Sequence, residues 1–482
     1  MTPGRINEFD AQLTERLQGI LDERVEGQHC PSVVATVFQG DRVLMESGVG
    51  ERTLGGAAPD IQTVYRIASC SKSFTIVTLL ILRDRGLVNL DAPITDYVPE
   101  FTQGAMGRAF EAPSVRMLMS MSGGLATDDP WADRQESISN ATFSSIVAGG
   151  ALLTTMPGSQ YQYSNLGFAL LGQVIERVTG RPFWEVAADE VLRPLELHET
   201  GYERNVVAPD QLAFGYRPGL DGWVELPFAG PGAFSSIGGL FSSARDMRTW
   251  ARWLSSALGD APDERGPLSV TSRREMQQIV TAIPNGANAA ILTRHAERTF
   301  GYGYGLFVEH DQRWGQFVSH SGGYPGYSSH MRWHVPSGLG VVALENARYS
   351  GAAQTASLLI DEVLDTIDYS RPAVEVWPIT RELALAANDL VTHWDNEVAA
   401  RIFEENVALD VPYAERRILI ERTLNEIGGL VASGGPHLHD ERSDSALHLI
   451  WTLSGRRGEL TCEVRLSPKT PTLIQTFKVT TS

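Results

Sequence analysis

The sequence predicts an α+β chain in two parts: over residues 1–371, an antiparallel sheet flanked by helices with a helical subdomain inserted, and over 372–482, a small α+β domain. Three observations lead there. Strand-like alternation appears near the start and again after residue 300, so both ends of the first part contribute to one sheet. Amphipathic helical patterns and Gly/Pro-rich loops fill the stretch between, to about Pro267. After Ser370-Arg371-Pro372, which reads as a linker, the pattern restarts: Thr380 to Glu426 is helical and Ala446 to Thr481 alternates as strands do.

Taken in order, Phe9, Leu13, Leu17 and Leu21 recur every four residues and mark a polar, capped helix within the first two dozen residues. That segment lacks the apolar core of a secretory leader, so a cytoplasmic protein is the expectation. Ser32 to Phe38 and Arg42 to Gly48 read as strands joined by Gln39-Gly40-Asp41, a hairpin. A helix is expected from Ser69 to about Gly86, then strands at Gly303 to Glu309, Gln316 to Ser321, Ser328 to Val335 and Gly340 to Glu345, and a helix over Ala352 to Asp368. No internal repeat is visible. The C-terminal helices followed by curved strands are similar to the cone of nuclear-transport-factor-like or cystatin-like folds. Capping the cleft, dimer formation and ligand binding all stay open as its role.

Composition narrows the function classes. Asp and Glu number 58 against 40 Lys and Arg, a net charge of −18 spread along the chain, which argues against nucleic acid as a partner. The longest apolar run, Ile76 to Leu82, falls far short of the ~20 residues of a membrane helix, so no membrane partner is expected. Cys30, Cys70 and Cys462 fit no metal-ligand spacing and read as structural thiols. Among the 40 basic residues only Lys72, Lys469 and Lys478 are lysines. Where a surface charge suffices this chain uses Arg, so Lys72 marks a place that needs an amine able to lose its proton.

Lys72 sits in Ser69-Cys70-Ser71-Lys72 at the start of a helical pattern. Residues three apart share a helix face, which brings the amine to the Ser69 hydroxyl, while the helix N-terminus favours developing negative charge. The plain alternative is a helix cap followed by a surface lysine. In Tyr161-Gln162-Tyr163-Ser164-Asn165, Tyr163 and Asn165 are two apart and point the same way from an extended segment. A phenol can relay a proton and an amide can hold an amine or substrate, although a Tyr/Asn turn before a helix is the simpler reading. Ser319-His320-Ser321-Gly322-Gly323 ends a strand and loses its side chains where a substrate backbone can lie, with Ser321 and Gly322 as candidate contacts. Alone, it is a strand running into a turn.

In this order the three segments resemble the signature of the serine β-lactamase and penicillin-binding-protein family, class C β-lactamase-like hydrolases, whose relatives include D,D-peptidases, D-aminopeptidases and esterases. Supporting resemblance runs from about Phe38 to Asn346 through Gly86-Leu87-Val88-Asn89-Leu90-Asp91, Ser122-Gly123-Gly124-Leu125, Pro157-Gly158 and Gly238-Gly239-Leu240-Phe241-Ser242. The resemblance implies a β-lactamase-like fold in which Ser69 is acylated, Lys72 takes its proton, Tyr163 shuttles protons, Asn165 positions substrate and His320 opens the third motif. It also implies an oxyanion hole from the backbone N–H groups of Ser69 and Gly323. The departure is His320, where β-lactamases of this family carry lysine. A histidine near its ordinary value of ~6.5 is charged only part of the time, which favours uncharged or amine-bearing substrates over β-lactams.

Asp128 and Trp131, in the polar segment Thr127 to Arg134, are candidate substrate contacts at the cleft mouth, and the same segment reads equally as a helix cap. His437, His439 and Asp440 lack a fourth ligand and read as a solvated loop, so no metal and no cofactor are expected. The expected activity is hydrolysis of an amide or peptide bond, with a D-configured residue as one option, on a small-molecule or peptide substrate. Esterase, acyltransferase or peptide-cyclase chemistry through the same acyl-enzyme, and a non-turnover penicillin-binding sensor, are the rivals. Oligomeric state, self-association included, stays open.

Overall fold

The computed structural model describes residues 6, 8–104, 109–259, 262–263, 265–284, 298–369, 374–431 and 438–481. The chain divides into two compact units, Met1–Arg371 and Pro372–Ser482. The Ser370-Arg371-Pro372 segment lies outside the described residues.

The first unit is built on an eight-stranded antiparallel sheet in the order Arg42–Gly50, Ser32–Gln39, Leu339–Glu345, Tyr327–His334, Gly315–Tyr324, Phe307–Asp311, Arg298–Tyr302, Thr281–Ile283. The opening hairpin pairs with the last strand, from Val33↔Glu345 to Gln39↔Leu339, which is how the two ends of the unit share one sheet. Helix Ala11–Glu26, capped by the Asp10 carboxylate accepting from Leu13 N at 2.7 Å, lays Leu13, Leu17 and Leu21 on one sheet face beside helix Ala352–Thr366. The other face carries the larger core and the helical subdomain.

The centre of that core is helix Ser71–Asp84, buried on every side from Ser71 to Leu82. Its sequence explains this, because a helix with apolar residues all round, small hydroxyls and a single amine, Lys72, among them is a core helix. Phe74 stacks on Trp250 at 3.7 Å, and the Trp250 indole donates to Ser73 Oγ at 3.0 Å.

Two expectations change. Gly303 to Leu306 is a turn, closed by Gly303 N donating to Leu306 O at 2.9 Å, and the strand begins only at Phe307. Gly305 there has φ +68, and a Cβ on it would lie 2.7 Å from Ile76 Cγ1, so the turn rests directly on the core helix. The short strands Thr281–Ile283 and Arg298–Tyr302 were not expected at all. Residues this few carry too little alternation to stand out.

The second unit is an antiparallel sheet in the order His439–Arg442, His448–Ser454, Glu459–Leu466, Ile474–Thr481, with helices Pro378–Thr392, Asn396–Ile402, Glu405–Asp410 and Tyr413–Glu426. Leu383, Ala387, Leu390, Trp451, Cys462 and Phe477 meet in its core. His439 opens a strand rather than sitting in a solvated loop, and His437 lies outside the described residues. Among the described residues no helix is long and apolar enough to cross a membrane.

A buried ion network ties the far strands of the large sheet together. Glu309 accepts from Arg332 at 2.5 and 3.0 Å and from Arg298 at 3.3 Å, and Arg298 also reaches Asp311 at 2.7 Å. All four side chains are fully buried. Removing one member strands the others' charge, so Glu309→Gln is expected to cost roughly 3–5 kcal/mol of stability. Urea unfolding followed by tryptophan fluorescence measures it, and a loss under about 1 kcal/mol would contradict a stabilising role for the network.

Candidate active site

Ser69 lies in the 3-10 turn Ala68–Cys70 that leads into helix Ser71–Asp84. Ala68 holds φ +48, a left-handed conformation costing a non-glycine residue about 1–2 kcal/mol, so its surroundings must enforce it. They do so from three directions. Ile67 N donates to Leu240 O at 3.0 Å, Ser329 Oγ donates to Ile67 O at 2.6 Å, and the Cys70 thiol donates to His320 O at 3.2 Å. Just upstream, the buried Arg66 guanidinium pairs with Glu136, which also accepts from the Tyr324 hydroxyl. Burial pushes the Cys70 thiol up to about 12, so it stays protonated and is a wall rather than a nucleophile.

The Lys72 amine is wholly buried and meets three acceptors: Ser69 Oγ at 2.9 Å, Asn165 Oδ1 at 2.7 Å and the Ile237 carbonyl at 2.8 Å. Burial lowers its pKa to about 8, against the pull of Asp129, Asp133 and Asp128 in the other direction. When the amine is neutral its two hydrogens go to the carbonyl and the amide oxygen, which can only accept. The lone pair is then left facing Ser69, whose hydroxyl becomes the donor.

The Tyr163 phenol is hydrogen-bonded with Ser69, and burial raises its pKa well above the ordinary value, so it remains a protonated phenol. Asn165 begins helix Asn165–Thr179 and is held twice. Asp128 accepts from the backbone N–H of Asn165 at 2.7 Å and of Leu166 at 2.8 Å, while Asp129 accepts from the Asn165 side-chain amide at 2.6 Å. Asp128 is thereby a helix cap and not a cleft contact, a correction to its reading as a substrate ligand. Trp131 is corrected too. The residue is 42 % exposed, its ring packs edge-on against Phe234 at 5.6 Å, and it does not line the cleft.

His320 is buried with both ring nitrogens occupied. Nδ1 is 2.6 Å from the Ser321 carbonyl oxygen, which only accepts, so the network assigns the proton to Nδ1, and Nε2 accepts from the Tyr302 hydroxyl at 3.0 Å. Burial, with the nearby Lys72 amine, lowers its pKa to about 3. The expectation of a part-time charge is overturned, because this imidazole is neutral at any ordinary pH.

Strand Gly315–Tyr324 pairs with Phe307–Asp311 only as far as Ser319↔Phe307, but with Tyr327–His334 all the way to Tyr324↔Tyr327. Beyond Ser319 one strand edge is unpaired among the described residues, and Ser321, Gly322 and Gly323 line the cleft there. Ser321 Oγ is tied to His330 Nδ1 at 2.8 Å. A Cβ at Gly322 would stand 2.3 Å from Ile67 O, and one at Gly323 would stand 2.1 Å from the Tyr349 ring. Gly322 is required by its close approach to the backbone of the turn that carries Ser69, whereas at Gly323 the Tyr349 ring would have to move aside.

The cleft, about 710 Å³, is lined by Ser69, Tyr163, His320, Ser321, Gly322 and Gly323 together with Asp129, Tyr161, Phe307 and Tyr349. The last four were missed as site residues. Asp129 stands beside Asp128 in the same polar segment, and spacing alone did not say which acid faces inward. Tyr349, with φ +48, donates to Asp133 from the segment after strand Leu339–Glu345, and no motif marks it. Burial pushes the Asp133 carboxyl up to about 6.

Comparison with known proteins adds three findings. The Beta-lactamase family profile matches residues 17–365. Protein flp of Staphylococcus aureus (strain MRSA252) is 24% identical over 371 residues, 74% of this chain and 68% of its own length. In fold, the chain is similar to an octameric penicillin-binding protein homologue from Pyrococcus abyssi (TM-score 0.62, 18% identity, 97% of this chain and 99% of that one) and to a D-stereospecific amidohydrolase from Streptomyces sp. (0.56, 23%, 72% and 98%).

The contact at Gly322 yields a direct test. Gly322→Ala is expected to slow labelling of Ser69 by a fluorophosphonate about 100-fold, because the added methyl forces the strand off the nucleophile turn. Unchanged labelling, timed by gel fluorescence, would mean that this approach is not needed.

Proposed function

The chain belongs to the β-lactamase family, and on that premise we propose that it is a serine hydrolase forming an acyl-enzyme on Ser69, with Lys72 as base, from an amide or ester that carries no negative charge where the cleft grips it. The observation that carries this reading is the Lys72 amine, buried beside Ser69 Oγ at 2.9 Å with only acceptors for its other neighbours.

In this mechanism the neutral Lys72 amine takes the Ser69 proton as Oγ attacks the substrate carbonyl. The N–H groups of Ser69 and Gly323 receive the developing oxyanion. As the tetrahedral intermediate collapses, the proton passes from Lys72 by way of the Tyr163 phenol to the leaving nitrogen or oxygen, and the C–N or C–O bond breaks. Water then repeats the sequence against the acyl-enzyme, returning Ser69 and the acid product.

Charge supports the substrate class. Among the described residues the cleft lining includes Asp129 but no Arg or Lys, and His320 is neutral. A substrate carboxylate would face Asp129 and no cation among the described lining residues, whereas neutral or amine-bearing groups are tolerated. An amide with a D-configured residue is the first reading, in keeping with the fold shared with a D-stereospecific amidohydrolase. A neutral ester is the second, favoured by the uncharged aromatic wall of Tyr161, Phe307 and His320.

Three measurements bear on this. Ser69→Ala should abolish turnover of both a D-alanine amide and p-nitrophenyl butyrate with circular dichroism unchanged; residual turnover at the wild-type rate would remove Ser69 from the mechanism. Lys72→Arg should lose about 1,000-fold or more in kcat, since a guanidinium does not give up its proton at these pH values. The third is kcat/KM against pH. Below about 8 Lys72 is protonated and has no lone pair to offer, so the rate should rise through pH 8 toward a plateau. A profile already flat from pH 7 to 9 would argue against Lys72 as the base.

A further inference from the structure

We propose that Asp129 is a positioning residue of this site: by accepting the Asn165 side-chain N–H it fixes which end of that amide meets Lys72, and so aims the lysine lone pair at Ser69. The proposal rests on the Ser69 and Lys72 reading above.

The two ends of an asparagine amide are similar in size, and what they face decides its orientation. The Asp129 oxygen that faces this amide is an acceptor. With Asp129 Oδ1 at 2.6 Å, only Nδ2 of Asn165 can point that way, and Oδ1 of Asn165 must then point at the Lys72 amine, 2.7 Å distant. The orientation matters most when the amine is neutral. As arranged, Asn165 Oδ1 and the Ile237 carbonyl take both amine hydrogens, leaving the lone pair for Ser69. With the amide turned over, Nδ2 would donate to that lone pair and the base would be quenched by its own neighbour. Rotation about the Asn165 backbone is not an escape, because Asp128 already holds the N–H groups of Asn165 and Leu166. The adjacent acids divide the labour: Asp128 fixes the main chain of Asn165 and Asp129 its side chain.

Asp129 also acts by charge. The groups around the Lys72 amine are the carboxylates of Asp128, Asp129 and Asp133, the protonated thiol of Cys70, the phenol of Tyr163 and the neutral imidazole of His320. Of the carboxylates, Asp129 exerts the strongest pull toward the ammonium form. Its two effects are separable by substitution. Asp129→Asn keeps an oxygen that can accept from Asn165 and discards the charge, whereas Asp129→Leu discards both.

The test is kcat and KM for p-nitrophenyl butyrate from pH 5.5 to 10 on the full chain, normalised to active sites counted by the fluorophosphonate, with Ser69→Ala alongside. For Asp129→Asn the acid limb of kcat/KM is expected to move to lower pH by about half a unit or more. For Asp129→Leu kcat on the plateau is expected to fall about 30- to 100-fold with KM within about threefold, since the loss is one of alignment and not of binding. An acid limb that stays in place for Asp129→Asn, or a plateau kcat within threefold of wild type for Asp129→Leu, would overturn the proposal. Equal losses in both variants that merely track a lower melting temperature would also overturn it, as a purely structural role. Full activity in Ser69→Ala would instead sink the acyl-enzyme reading, an outcome distinct from any of these.

Discussion

The chemistry proposed for the first unit depends on keeping one amine out of water. A lysine in solvent holds its proton near ~10.4 and is useless as a base at neutral pH. Here Lys72 is enclosed by a helix buried on all sides, by the Ile237 carbonyl and by Asn165, and burial outweighs the three acids that would keep it charged. The balance, at about 8, is the narrow range in which an amine is partly neutral yet still basic enough to draw a hydroxyl proton. Fewer acids would leave a weaker base, and a wetter site would leave an ammonium.

Dryness alone does not position a nucleophile, and much of the surrounding architecture serves that second need. Ala68 is held in a left-handed conformation, Ser329 and Leu240 grip Ile67, and the Gly322 backbone approaches so closely that no side chain fits between. Arg66, Glu136 and Tyr324 join the segment before the nucleophile to the end of the strand that would supply Gly323. These are different elements, distant in sequence, converging on one turn. Strain at Ala68 persists because the contacts over-determine it.

The parts of this arrangement legible in the sequence were those with a short-range geometric rule. Ser69 and Lys72 are one helical turn apart, Tyr163 and Asn165 are two apart at a helix entrance, and the hairpin before Gly50 alternates cleanly. Long-range facts were not legible. Whether Asp128 or Asp129 faces the cleft depends on how a four-residue helix, Asp129–Ala132, meets a helix more than thirty residues later. Tyr349 reaches Asp133 only because a loop after the last strand carries it there. The strands at Thr281–Ile283 and Arg298–Tyr302 exist because a neighbouring edge was available to pair with them, and their own composition says little.

His320 shows why a motif position and its chemical state are separate questions. The sequence places an imidazole where the resembling β-lactamases carry a lysine, and its free-solution behaviour would suggest a switchable cation. In the fold, the Ser321 carbonyl takes the Nδ1 proton, Tyr302 donates to Nε2, and both the lost hydration and the Lys72 amine oppose a second proton. The ring therefore becomes part of an aromatic wall with Tyr302 and Phe307, at 6.0 and 5.3 Å between centroids, and among the described residues Asp129 is the acidic side chain on the cleft lining. With its two hydrogen-bond partners in place, an imidazole at this position brings a neutral ring to the cleft and not the permanent charge of a lysine.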